Sequence, residues 1–182
     1  MLGPGAALYV WNGHRQFGPM YTMLLAMGVH VSCVITWAKD RFAIGRGDYK
    51  HQTEFCLYGW RADNGAHRWH GGQDQSTLWQ VPRDPVKDYV HPTQKPLELA
   101  ERAMRNSSRP GQTVLDPFLG GGTTLIAAER TGRRCVGVEL DPHFCDVIVR
   151  RYLAFNGGAG VDADVIGRYA VPSAGDGTGV AA

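Results

Sequence analysis

The sequence predicts an α/β domain built on a mainly parallel sheet with an antiparallel hairpin. Two observations carry this. The stretch Thr113–Asp116 reads as a strand that runs into Gly120-Gly121-Gly122, then a helix from Thr123 to about Arg130, then a strand Cys135–Leu140. Strand, glycine turn, helix, strand is a βαβ unit, and such units build parallel sheets with helices on their faces. Upstream, the β-rich runs Val29–Trp37 and Glu54–Trp60 flank the loop residues Gly45-Arg46-Gly47-Asp48 and are expected as the antiparallel hairpin.

The remaining elements follow in order. Ala6–Trp11 reads as a buried strand. Phe17–Met27 carries apolar residues at helical spacing and ends on Gly28, a residue suited to the left-handed cap. Gly45-Arg46-Gly47-Asp48 is loop chemistry. Residues 61–90 lose periodicity: Arg61, His67, Arg68, His70, Arg83 and Lys87 are interleaved with Trp69, Trp79 and Tyr89, which reads as a long surface excursion. Thr93 is expected to cap a helix through Leu97, Ala100 and Met104, with Pro96 in its first turn. A helix Pro142–Phe155 follows the last strand of the βαβ unit. Residues 156–182 read as a flexible Gly/Ala-rich tail, in which Ala163–Tyr169 is expected as an edge strand.

The chain has 182 residues, 43% of them hydrophobic, enough for one domain with its own core. Its 19 Lys and Arg against 17 Asp and Glu give +2, which permits a nucleic-acid partner without arguing for one. Cys33, Cys56, Cys135 and Cys145 form no C-x-x-C pair, so free thiols of a reducing cytoplasm account for them better than disulfides or zinc. His67 and His70 lack a third convergent ligand, and no metal is expected. No apolar run has the length of a membrane span, and the expected location is the cytoplasm.

Asp116-Pro117-Phe118-Leu119-Gly120-Gly121-Gly122-Thr123-Thr124 is the strongest local feature. It lies at the carboxyl end of a strand, the edge where open α/β sheets bind ligands. Glu139, at the end of the next strand, offers a carboxylate to a pair of ribose hydroxyls. Together these indicate a nucleoside-containing cofactor. A dinucleotide site needs G-x-G-x-x-G and an uncharged approach for pyrophosphate, yet Leu125 stands at the third glycine position and Asp116 places a carboxylate beside the loop. No lysine follows the glycines, which excludes a P-loop. An ammonium-bearing, phosphate-free nucleoside such as S-adenosylmethionine suits those charges.

His91-Pro92-Thr93-Gln94-Lys95-Pro96, followed by the Asp-Pro-Phe glycine loop, resembles the β-type amino-methyltransferases of DNA, whose target-binding half precedes the cofactor half. Thr36–Lys39, Glu54–Trp60, Trp69–Gly72 and Ser76–Trp79 extend the resemblance, which is to phage and bacterial modification methylases often fused to a ParB-like nuclease domain. It covers roughly residues 5–155 and implies a Rossmann-like methyltransferase domain over 1–155, with 61–90 as target-recognition excursion and 91–155 as cofactor-binding half.

The resemblance implies that Thr93, Gln94, Lys95, Asp116, Phe118, Gly120, Gly122, Thr123 and Glu139 bind S-adenosylmethionine, and that Arg61, Arg68, Trp69, Arg83 and Lys87 face double-stranded DNA. The expected product is DNA methylated at adenine N6; cytosine N4 shares every motif. The family's Asp-Pro-Pro-Tyr-type catalytic motif belongs upstream of the Leu8 strand, and no such motif occurs in these residues. The catalytic strand is therefore expected to be missing, and no residue here is assigned a catalytic role. A complete site then needs a further N-terminal segment or a second polypeptide; a homodimer is the other assembly expected. A non-catalytic cofactor- or DNA-binding remnant is the alternative.

Overall fold

The computed structural model describes residues 3, 5–44, 46–61, 67–85, 91 and 94–169. Its elements are β1 (Ala7–Asn12), a 3₁₀ turn (His14–Gln16), α1 (Phe17–Ala26), β2 (Val29–Ala38), β3 (Thr53–Arg61), β4 (Leu78–Gln80), α2 (Leu97–Ser107), β5 (Thr113–Asp116), α3 (Thr123–Arg130), β6 (Arg134–Gly137), α4 (Pro142–Asn156) and α5 (Ala163–Tyr169).

The described strands form two sheets, one in the order β1-β3-β2-β4 and one of β5 and β6. β3 is antiparallel to both β1 and β2, whereas β4 runs parallel to β2 and β6 parallel to β5. The architecture is thus α/β with a mixed strand arrangement. Period-2 alternation sorts the first sheet's side chains. Leu8 and Val10 face α1, packing with Leu24, Val29 and Leu57. Tyr9 and Trp11 face the other way, with Ile35, Trp37, Cys56, Tyr58, Trp79 and Leu99.

Helix α2 ties the two sheets together. Leu99 and Ala103 pack on the first sheet. Leu97, Ala100 and Met104 pack with Val114 and Cys135 of the second sheet and with Ala127 and Ala128 of α3. Its start lies by the carboxyl end of β1, where Lys95 stands 5.7 Å from the Trp11 ring. Its last turn lies by the amino end, where Ser107 and Tyr9 share a 2.8 Å hydrogen bond. The short turn after α2 sends β5 back, so β1, β2 and β5 end on the same side.

Three local expectations are corrected. The 61–90 excursion is not all surface, because Leu78–Gln80 forms β4, with Trp79 and Val81 each only 2% exposed. Trp79 and Val81 are two residues apart, so both point into the core. Ala163–Tyr169 is helix α5 rather than an edge strand. Asp162 caps it by accepting the Asp164 amide at 2.8 Å, and the Tyr169 hydroxyl donates to Asp146 of α4 at 2.8 Å. Helix α2 begins at Leu97 with Pro96 as its extended N-cap (ψ 140°), so Pro96 is outside the first turn; Thr93 lies outside the described residues.

Candidate functional site

The glycine loop is stapled at both ends by carboxylates. Asp116 closes β5, and its Oδ1 accepts the Phe118 amide at 3.0 Å while Oδ2 accepts the Thr124 hydroxyl at 2.6 Å. Glu139 accepts the Gly120 amide on Oε2 at 2.7 Å, and the Leu140 and Asp141 amides on Oε1 at 2.9 and 3.0 Å. Those backbone N–H groups, Asp141 and Gly120 foremost, hold the Glu139 carboxyl below the usual carboxylate range. Arg151 of α4 donates to the Gly121 carbonyl at 2.6 Å and fixes the loop's middle.

Glycine is required at two points of this turn. Gly122 has φ +79°, and a Cβ there would stand 3.2 Å from Ile148. Gly120 has φ +55° and lies under the His91 ring, whose atoms come within 3.6 Å of where its Cβ would be. His91 also packs on Phe144 at 4.3 Å between ring centroids. His91 is thereby seated against the glycine loop, which joins two motifs distant in sequence.

Of the expected cofactor residues, the structure brings together Asp116, Gly120, Gly122, Thr123 and Glu139 around one turn. Phe118 keeps its amide in that turn but its side chain is 86% exposed. Gln94 follows His91 closely, its amide donating to the His91 carbonyl at 3.1 Å. Lys95 pairs with Glu54 at 3.5 Å, and Glu54 also holds the buried Lys39 at 2.7 Å. Thr124 and Arg151, which brace the turn, and Lys39 and Glu54, which cluster with Lys95, were not singled out from the sequence. Thr124 directly follows Thr123 in the motif; the other three converge only through tertiary packing.

The carboxylate of Glu139 has about four lone-pair directions and uses three of them on backbone amides. It can accept one ribose hydroxyl as it stands. Accepting both requires one of these three amides to be released. Burial raises the pKa of Cys56, and burial with the nearby Asp116 charge pushes Cys135 up to about 11, while the Cys145 thiol donates to the Glu139 carbonyl at 3.6 Å.

The expected DNA-facing residues divide between opposite ends of the molecule. Arg61 ends β3 opposite Val29, whereas Arg83 donates its amide to Asp40 just beyond Ala38 at 2.9 Å. Val29 to Ala38 spans nine strand steps, about 30 Å. Arg68 and Trp69 border Arg109 and Gln112, at the amino end of β5 and away from the glycine loop. Lys87 lies outside the described residues.

A glycine turn between two carboxylates at the carboxyl edge of an α/β sheet defines a nucleoside-cofactor-binding domain. The family model described as DNA methylase (N6_N4_Mtase) matches residues 1–150, and the chain belongs to that family. It is 31% identical over 170 residues to the type II methyltransferase M2.DpnII of Streptococcus pneumoniae, covering 86% of this chain and 63% of the relative. The type II methyltransferase M.ScaI of Streptomyces caespitosus is 36% identical over 87 residues, 44% of this chain and 29% of that one. The chain thus spans less than two thirds of these curated relatives. A Thermus thermophilus protein described as a DNA modification methylase, solved with S-adenosyl-L-methionine, superposes with a TM-score of 0.62 at 30% identity, covering 85% of this chain and 72% of that one. A cytosine-N4-specific PvuII DNA methyltransferase shares the fold, with a TM-score of 0.73 at 16% identity over 92% of this chain and 71% of that one.

Proposed function

We propose that this chain is the cofactor-binding and DNA-facing part of an enzyme that methylates the exocyclic N6 amine of adenine in double-stranded DNA, using S-adenosylmethionine. The observation that carries the reading is the pair of carboxylates flanking the glycine turn. Asp116 puts negative charge beside a cationic methionine moiety, and Glu139 keeps one acceptor direction for a ribose hydroxyl. Both features disfavour a pyrophosphate. Gly120 and Gly122 let the turn fold tightly against His91 and Ile148.

Bound S-adenosylmethionine supplies an electrophilic methyl group. Residues of this chain position it: Asp116 and Glu139 at the turn, His91 over Gly120, and Gln94 and Lys95 beyond. Transfer from sulfonium to amine needs alignment and charge complementarity rather than a protein nucleophile, in keeping with the raised thiol pKa values. The flipped base would be held by an Asp-Pro-Pro-Tyr-type motif, which these residues lack. The partner implied is a further N-terminal segment or a second polypeptide that carries this motif.

The test is labelled-methyl transfer to mixed-sequence duplex DNA, with the modified nucleosides separated afterwards. This chain alone should give little or no transfer, and addition of a segment carrying the catalytic motif should yield N6-methyladenine. Robust turnover by the chain alone would overturn the account of the missing motif. N4-methylcytosine as product would replace the adenine assignment and leave the cofactor assignment standing.

A further inference from the structure

At the edge opposite the glycine turn lies a cleft of about 390 Å³ lined by His67, Arg68, Trp69, His70, Arg109 and Gln112. No carboxylate lines it among the described residues. Arg68 and Arg109 are both exposed, and neither is paired with a carboxylate among the described residues. Gln112 spends its Oε1 on the Arg109 amide at 2.7 Å, which leaves its side-chain N–H groups as donors. The Nε2 atom of His70 is buried without a hydrogen-bond partner among the described residues.

The walls are fixed rather than loose. The Arg68 amide donates to the Gly5 carbonyl at 3.3 Å and the His70 amide to the Asn106 carbonyl at 2.7 Å, so the segment is pinned to the start of β1 and the last turn of α2. Trp69 is 41% exposed while its ring also meets Tyr58 at 6.1 Å. Gly71 makes that placement possible, since a Cβ there would lie 2.7 Å from the Trp69 ring. The opposite wall, Arg109–Gln112, is braced by the Arg134 amide bonding to the Gln112 carbonyl at 2.9 Å.

We infer that this cleft is a phosphate-binding site for a nucleic-acid backbone, separate from the place where the target base and cofactor meet. Two guanidiniums and a side-chain amide in a fixed concavity, with no carboxylate among the described residues pairing or lining it, fit a phosphodiester, and the half-exposed indole beside them offers a stacking face. The cleft and the glycine turn lie at opposite ends of β5, so the contact grips DNA without reading the target base. It rests on the proposed function only in naming DNA as the source of phosphate.

The experiment measures binding of a fluorescent mixed-sequence duplex by anisotropy across a salt series, without cofactor, for the chain and for R68Q/R109Q. The double variant should bind on the order of tenfold more weakly, and its log–log salt slope should be shallower by about two. Because both side chains are exposed, folding should be retained; R109Q alone, expected to lower the slope by about one, serves if the double variant melts. Inorganic phosphate should shift the Trp69 indole and Gln112 side-chain resonances. Unchanged affinity and slope in R68Q/R109Q would overturn the inference, even if inorganic phosphate still shifts those resonances. So would loss of binding in R83Q with none in R68Q/R109Q. Neither result depends on methyl transfer, so failure of the proposed function is read out separately.

Discussion

Glu139 holds the Gly120 amide at 2.7 Å, across the turn that would receive the cofactor. The carboxylate thereby keeps the loop folded and also supplies the candidate ribose acceptor. Glu139→Gln retains one acceptor oxygen and loses the other, so loop order and cofactor affinity should fall together. Calorimetry should show S-adenosylmethionine binding weakened on the order of tenfold. An unchanged affinity would remove Glu139 from the ribose site.

The same contact carries a pH dependence. Its amide partners lower the Glu139 pKa in the folded chain from the ordinary 4.5. Stability from this group is therefore fully present above that ordinary value and is lost as pH falls through the lowered folded value. Melting temperatures of the chain and of Glu139→Gln should differ at neutral pH and converge under acid. A constant difference at all pH values would contradict the assignment.

Gly122→Ala tests the turn itself. The left-handed backbone (φ +79°) and the 3.2 Å approach to Ile148 should together cost about 1–3 kcal/mol, read by urea unfolding. A stability unchanged by the substitution would show that the turn relaxes freely.

Trp79→Ala tests whether β4 belongs to the core. Trp79 is 2% exposed, lies 6.2 Å from the Trp11 ring, and carries the Arg102 guanidinium at 4.8 Å. Truncation should cost about 3–5 kcal/mol by chemical denaturation. A cost within the range of a surface loop would return this segment to the excursion.

Glu54→Gln tests the clasp between Lys39 and Lys95. The Lys39 side chain is only 8% exposed, and Glu54 is its ion-pair partner at 2.7 Å. Because Glu54 is 32% exposed, solvent screens part of the loss, and about 1–2 kcal/mol is expected in the melt. A melt indistinguishable from that of the parent chain would show that the clasp contributes nothing.

Much of this fold was legible because its signals are local. The alternation of Leu8 and Val10 against Tyr9 and Trp11 marks a two-faced strand, and the glycine turn between Asp116 and Thr123 marks the βαβ unit. β4 escaped because three residues inside a polar stretch give almost no period, although Trp79 and Val81 already stood two apart. α5 escaped because Val165 and Ile166 favour strand while the Asp162 cap decides for helix. The division of Arg61, Arg68 and Trp69 from Arg83 was invisible, since it depends on which end of a strand each segment meets. Lys39, Glu54 and Lys95 meet only through packing of β2, β3 and the start of α2.

The cofactor assignment is tested most directly by titrating this chain with S-adenosylmethionine and, separately, with NADH in a calorimeter. Saturable binding of S-adenosylmethionine that Asp116→Asn and Glu139→Gln each weaken, with no heat from NADH, is the predicted result. Tight NADH binding with no response to S-adenosylmethionine would contradict the account at its centre.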